Sequence, residues 1–208
     1  MVVEKVLRDG LERLGMASPD AVADPLLRYI DLLARWNRTY NLTAVRKPED
    51  MVTRHILDSL SVLPWLEGGR LLDAGAGAGL PGIPLAIAKP ALDVTLADGA
   101  GKKVRFMNHV KRQLGLANVH PLHARVEDVS GEPAFDAVIS RAFSSLSSFA
   151  IASRHLAAAE TRLLAMKGHY PEEEIAALPA WVTLSSVEKI DVPGLHENRH
   201  LVIMTVCP

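Results

Sequence analysis

The segment that most limits what this chain can fold into is a short apolar run, Arg70-Leu71-Leu72-Asp73. It breaks into alternating glycines, Ala74-Gly75-Ala76-Gly77-Ala78-Gly79, and continues as Leu80-Pro81-Gly82-Ile83-Pro84. Glycines directly after a strand let the backbone turn sharply and approach a ligand, and a helix that follows offers unpaired N–H groups. Such a loop belongs at the carboxyl end of a strand in a parallel sheet. The rest of the chain agrees: apolar runs at 70–73, 93–97, 119–123, 135–140 and 162–166 alternate with helical patterns near 81–89, 101–115 and 145–158. That alternation predicts a parallel sheet covered on both faces. After a weaker helical stretch at 171–178, strands at 181–190 and 201–206 are expected to form an antiparallel hairpin closing one edge. The expected fold is therefore α/β: a doubly wound, mostly parallel, seven-stranded, Rossmann-like sheet with an N-terminal helical extension.

The extension spans residues 1–66, and the sheet domain 67–208, with Trp65-Leu66-Glu67-Gly68-Gly69 as the seam. Val3, Val6, Leu7, Leu11 and Leu14 lie at helical spacing and stop at Gly15. Ser18-Pro19-Asp20 and Asp24-Pro25 read as two successive helix starts, each with a capping side chain followed by proline. Pro48-Glu49-Asp50 signals a further helix carrying Met51, Val52, Ile56, Leu60 and Leu63.

Composition narrows the chemistry. The single cysteine, Cys207, excludes a disulfide within the chain and fits a reducing cytoplasm. No run approaches the roughly 18 apolar residues of a membrane span, and the acidic Met1-Val2-Val3-Glu4 start is unlike a signal peptide. The chain is expected to be a cytoplasmic monomer without a membrane partner. A net charge of −1 gives no long-range attraction to a polyanion, so binding to nucleic acid must come from a local patch.

Two cofactor classes compete for the glycine loop. Gly77 to Gly82 satisfies G-x-G-x-x-G, and Asp98 stands 19 residues beyond Gly79, where a ribose-binding acid of a dinucleotide site belongs. Asp73 separates the classes. A carboxylate two residues before the first glycine is misplaced against a pyrophosphate but suits the ammonium of S-adenosylmethionine. Asp73, Gly75, Gly77, Gly79 and Asp98 are thus candidate contacts for that cofactor, with Asp98 on the ribose hydroxyls. Ala124-Arg125-Val126-Glu127-Asp128 follows the third strand, where an adenine would lie with Val126 on its face; alone, the segment also reads as an ordinary loop.

The fourth strand ends in Ser140-Arg141-Ala142-Phe143, the end that faces the transferred methyl in this architecture. It carries neither the Asn/Asp-Pro-Pro-aromatic run used on exocyclic amines nor a cysteine nucleophile. An acceptor that is already nucleophilic, such as guanine N7, needs neither. Arg141 is a candidate for orienting the base, for instance through O6, with an ion pair to a nearby carboxylate as the alternative. Lys102, Lys103, Arg105, His109 and Arg112 form a basic patch on one helix, read either as an RNA contact or as a solvated face. Two lysines in the first turn oppose the helix dipole, which favours an anionic partner. Arg28, Arg35, Arg38, Arg46, Lys47 and Arg54 add a second contact area. The eight histidines show no metal-ligand spacing, and no metal is expected.

With these residues assembled, the chain resembles the glucose-inhibited division protein B family, RsmG, the bacterial small-subunit ribosomal RNA guanine-N7 methyltransferases. The resemblance runs through Trp36-Asn37, Asn41-Leu42-Thr43, Arg54-His55-Ile56-Leu57-Asp58-Ser59, Asp73 to Pro84, Gly101 to Phe106, Ile139 to Phe143, Lys167-Gly168 and Arg199-His200-Leu201. It implies methyl transfer from S-adenosylmethionine to N7 of one guanine, on RNA within a ribosomal particle. Carried over by position, it places cofactor contacts at Gly75, Leu80, Val126, Glu127 and Arg141, with Asp98 at the ribose. Gly99-Ala100 departs from the Ser-Leu pair common after the acid, which puts side-chain contacts there in doubt. A methyltransferase acting on protein or a small molecule, and a non-catalytic cofactor-binding regulator of cell division, remain alternatives.

Overall fold

A computed structural model describes residues 2–16, 18–132, 134–158 and 160–206. Cys207 lies outside the described residues. The chain opens with helices α1 (Val2–Arg13) and α2 (Pro19–Tyr40). A single helical segment follows, made of α3 (Pro48–Met51), a π-turn (Val52–Leu57) and α4 (Asp58–Leu60). Next come β1 (Gly69–Ala74), α5 (Gly82–Ala88), β2 (Leu92–Ala97), α6 (Gly101–Leu114), β3 (Val119–Leu122) and β4 (Ala137–Ser140). Helix α7 (Leu146–Ser153), β5 (Arg162–Lys167), α8 (Glu172–Ala176), β6 (Val182–Ile190) and β7 (Arg199–Val206) complete the order.

The seven strands form one sheet in the order β3-β2-β1-β4-β5-β7-β6. β1 to β5 are parallel, and β7 runs antiparallel between β5 and β6. Neighbouring residues of each strand point to opposite faces, and the core divides accordingly. Leu71, Val94, Leu96, Ile139, Leu164, Leu201 and Ile203 face one apolar cluster with α1, α2, α5 and α6. Leu72, Val138, Leu163, Val202 and Met204 face another with α7. Thus the helices within 1–66 are a layer on one sheet face, sharing its core.

The two helix starts expected at Ser18 and Asp24 are one: α2 runs unbroken with Pro25 inside, and the Ser18 side chain caps nothing. An interior proline costs about 3 kcal/mol. The apolar stripe crosses it without interruption, burying Val22, Ala23, Leu26, Ile30 and Leu33. At about 1.5 to 3 kcal/mol for each large side chain buried, that stripe outweighs one lost hydrogen bond.

The chain winds from β1 outward to β3 and then returns to place β4 on the other side of β1. The carboxyl ends of β1 and β4 therefore flank the point where strand order reverses, which is where a ligand fits in open α/β sheets.

Candidate active site

The glycine loop is pinned at its base: the N–H groups of Gly75 and Ala76 both donate to the Ala97 carbonyl, at 2.9 and 3.0 Å. Gly75 has φ of 75°, and a Cβ there would stand 2.8 Å from the Ala142 Cβ, so glycine is required where the loop passes the end of β4. Asp73 is fully buried beneath the loop. Its Oδ2 accepts the Gly82 N–H at 2.8 Å, while Oδ1 has no partner among the described residues. Burial pushes its carboxyl up to about 7, against the Gly82 hydrogen bond and the Arg141 charge, which act to lower it.

Asp98, just past β2, serves the same loop from outside. Its Oδ2 accepts the Gly77 N–H at 2.9 Å and its Oδ1 the Ala100 N–H at 2.8 Å. Beside it opens a cavity of about 190 Å³ with Gly75, Asp98, Val126, Glu127 and Phe143 in its wall. Of the residues expected at the cofactor, Gly75, Asp98, Val126 and Glu127 are therefore brought together. Leu80 is 9% exposed and packs into the core below the loop instead, joined to Pro81 by a cis peptide bond.

Arg141 leaves the end of β4 and is held by three groups of the segment Arg54–Ser59. Its Nη1 stands 3.2 Å from Asp58 Oδ2 and 3.5 Å from Ser59 Oγ, and its Nη2 donates to the Arg54 carbonyl at 3.4 Å. Asp58, 2% exposed, takes a second guanidinium on its other oxygen, Arg199 Nε at 3.0 Å. Glu197 continues the chain of charges outward to Arg199 and Arg54. The ion pair weighed for Arg141 is present, and its partner was not among the expected site residues. The signal available for Asp58 was an acid set in the apolar run Ile56-Leu57-Asp58-Ser59-Leu60.

Local geometry explains why that segment can hold Arg141. In the π-turn the Asp58 N–H reaches back to the Thr53 carbonyl, and the Arg54 carbonyl accepts from Arg141 and from His55 Nδ1, the latter at 2.9 Å. With Nδ1 donating, His55 Nε2 accepts from the Thr43 hydroxyl at 2.8 Å. Thr43 Oγ1 accepts from Val45 N–H, and Asn37 clasps the same loop by accepting from Thr43 N–H and donating to the Val45 carbonyl. The ring is thus neutral and satisfied, and burial holds its pKa down at about 4. A π-turn inside a helix is common at functional sites.

The basic face of α6 is formed as expected, with Phe106, Met107 and Val110 buried on the opposite side. Lys102, Arg105 and Arg112 are exposed, and His109 lies 5.1 Å from the Trp36 ring. The first-turn lysines are not left opposing the helix dipole alone, because Lys103 pairs with Asp98 at 3.4 Å and Lys102 donates to the Tyr40 carbonyl at 3.0 Å. In the extension, Arg28, Arg35, Arg46 and Arg54 are likewise engaged, with Gln113, Asp31, Asn41 and Glu197 respectively. His120 bonds Asp93, His123 the Gly99 carbonyl, and His200 lies within β7. Among the described residues no group of three or more His, Cys, Asp or Glu side chains could hold a metal ion.

Solved structures of low sequence identity share this architecture. A SAM dependent methyltransferase from Aquifex aeolicus aligns at a TM-score of 0.58 and 21% identity, over 77% of this chain and 94% of that one. TrmN from Thermus thermophilus aligns at 0.55 and 16% identity, over 82% of this chain and 53% of that one. The sheet order, the glycine loop and these likenesses define the methyltransferase class of doubly wound fold. Sequence narrows the class. The family model "GidB: rRNA small subunit methyltransferase G" matches residues 23–202. Proteins named ribosomal RNA small subunit methyltransferase G are 50% identical in Alkalilimnicola ehrlichii, over 96% of this chain and 90% of theirs, and 48% identical in Pseudomonas syringae pv. tomato, over 95% and 94%. The chain belongs to the rRNA small subunit methyltransferase G family.

Proposed function

We propose that this chain transfers a methyl group from S-adenosylmethionine to N7 of one guanine in small-subunit ribosomal RNA. The observation that carries the cofactor is Oδ1 of Asp73 at the end of β1, which is buried and has no partner among the described residues. An acceptor without a donor in a dry site is costly unless a ligand completes it, and a ligand ammonium supplies both hydrogen and charge. Asp98 would hold the ribose: its Oδ1 accepts the Ala100 N–H and keeps a lone pair for a hydroxyl, while its Oδ2 accepts both the Gly77 N–H and the Lys103 ammonium. Gly75, Gly77 and Gly79 bring the backbone close, Leu80 shapes the loop from below, and Val126 and Glu127 take the adenine face and edge in the adjoining cavity. When bound, the sulfonium supplies an electrophilic methyl carbon.

At the end of β4 no group among the described residues is placed as a base. Ser140 Oγ donates to the Ala74 carbonyl at 2.6 Å and accepts from Ala142 N–H at 3.1 Å, so it is committed to holding the end of β4. Guanine N7 has an in-plane lone pair and no proton to lose, so alignment and exclusion of water suffice. Arg141 orients the base through its remaining N–H groups, consistent with a bond to O6 that leaves N7 free. Lys102, Arg105, His109 and Arg112 contact flanking RNA, with Lys103 turned to Asp98. In this reading residues 67–208 are the cofactor domain and residues 1–66 an extension that completes the acceptor side. The chain works as a monomer in the cytoplasm on a small ribosomal particle, without a metal.

The test is incubation of the purified chain with labelled S-adenosylmethionine and small subunits lacking the modification, followed by mapping of the label to a nucleotide and to N7. Label at one guanine N7 is expected. No label in RNA, under conditions where S-adenosylhomocysteine binds, overturns the reading, and label in ribosomal protein replaces it.

A further inference from the structure

We propose that Asp58 is the positioning residue of the acceptor site: its buried carboxylate, gripped by Arg141 and Arg199, fixes the guanidinium that meets the guanine. This rests on the reading of Arg141 above.

Three observations carry it. Asp58 and Arg141 come from different parts of the chain, the segment after the π-turn and the end of β4, yet meet at 3.2 Å with Asp58 2% exposed. A charge buried to that degree needs full compensation, and it has two cations, one per oxygen. Second, all three partners of Arg141 belong to the short segment Arg54–Ser59, so its orientation is set by that segment alone. These bonds occupy Nη1 and one side of Nη2, leaving Nε–H and a second Nη2 hydrogen without partners among the described residues. A guanidinium anchored on one edge presents the other in a fixed plane, which bidentate recognition of a base requires. Third, Arg199 is itself tied to the Asn198 carbonyl at 2.8 Å and to Glu197 at 3.1 Å, so Asp58 is held from both sides and cannot swing with Arg141. Asp58 thus lets the N-terminal layer act on the guanidinium at the end of β4, on the other part of the molecule.

The test uses full-length protein, small subunits lacking the modification, and steady-state kinetics with calorimetric binding of S-adenosylhomocysteine. Wild-type chain that labels no RNA defeats the function itself, whatever the variants do. Given wild-type activity, Asp58→Asn should lower kcat by about 10- to 100-fold, with S-adenosylhomocysteine affinity held within about threefold. Arg141→Ala should cost at least as much, and Asp58→Asn combined with Arg141→Ala should be no worse than Arg141→Ala alone, since the two act as a unit. Should Asp58→Asn fold poorly, Asp58→Asn with Arg199→Gln removes one charge of each sign and should show the same loss of kcat at wild-type thermal stability. Unchanged kcat in either form, multiplicative penalties with Arg141→Ala, or a loss confined to cofactor affinity overturns the proposal.

Discussion

The hydroxyl of Tyr29 donates to the backbone carbonyl of Ala78 at 2.8 Å, tying a helix of the N-terminal layer to the glycine loop. Both groups are buried, and no water-accessible alternative replaces the bond if it is removed. Tyr29→Phe keeps the ring and its contact with Phe106 but leaves the carbonyl unsatisfied, a loss of about 1 to 3 kcal/mol. For a chain of this size that is a fall in Tm of about 2 to 12 °C. Thermal denaturation with and without S-adenosylhomocysteine should show the fall and a weaker ligand-induced rise.

Asp73 predicts a conflict between stability and binding. Its folded pKa of about 7 lies above the ordinary value of 3.8, so its contribution to stability is full below about pH 4 and is lost as pH rises through 7. Without ligand, Asp73→Asn should therefore be more stable than wild type at pH 8, by about 1 to 3 kcal/mol after allowing for its own unpaired amide. It should also bind S-adenosylhomocysteine far more weakly. A variant that loses stability at pH 8, or keeps wild-type affinity, contradicts this account of the carboxylate.

His55 has the opposite sign. Its folded pKa of about 4 lies below 6.5, so the unfolded chain takes up a proton first, and the stability it contributes is lost as pH falls from about 6.5 to 4. In that window Asp73 gains what His55 loses, and wild-type stability should be nearly level. Denaturant titrations from pH 4 to 7 separate the two. Asp73→Asn should become steadily more stable as pH rises, and His55→Gln steadily less. Parallel profiles in the two variants would show that neither residue titrates as described.

The two exposed arginines of α6 predict a salt effect. If Arg105 and Arg112 meet RNA phosphates, replacing both with alanine should weaken small-subunit binding. The log-log salt dependence should flatten by about 0.7 for each phosphate no longer neutralised on single-stranded RNA. Lys103→Ala should behave differently: its ammonium lies by Asp98, so the change should fall on cofactor affinity and leave the salt slope unaltered. An equal slope in wild type and in the double arginine variant removes this helix from the interface.

Much of the fold was legible because strands and helices here announce themselves by period. Every expected strand is present within two residues, and the closing pair is antiparallel as read from its short connection. What escaped were features set by packing across the chain. Pro25 reads locally as a helix start, but its fate was decided by the stripe from Val22 to Leu33 that buries on both sides of it. The π-turn at Val52–Leu57 has the same apolar spacing as an ordinary helix and differs by one widened turn. In the site, Asp73 and Asp98 were readable because they neighbour the glycines in sequence or by fixed offset. Asp58 was not, since its partners lie 83 and 141 residues away, and an acid in the apolar run Ile56 to Leu60 signals burial without naming the cations that hold it.

The place of β7 in the sheet has a consequence for synthesis. The strand is inserted between β5 and β6 rather than added outside them, and it delivers Arg199 to Asp58. A nascent chain still short of Arg199–Val206 would hold β5 as an open edge, β6 without its neighbour and Asp58 with half its counter-charge. Without that strand the glycine loop after β1 keeps its bonds to Ala97, Asp98 and Tyr29, whereas Arg141 meets an Asp58 carboxylate that has lost one of its two cations.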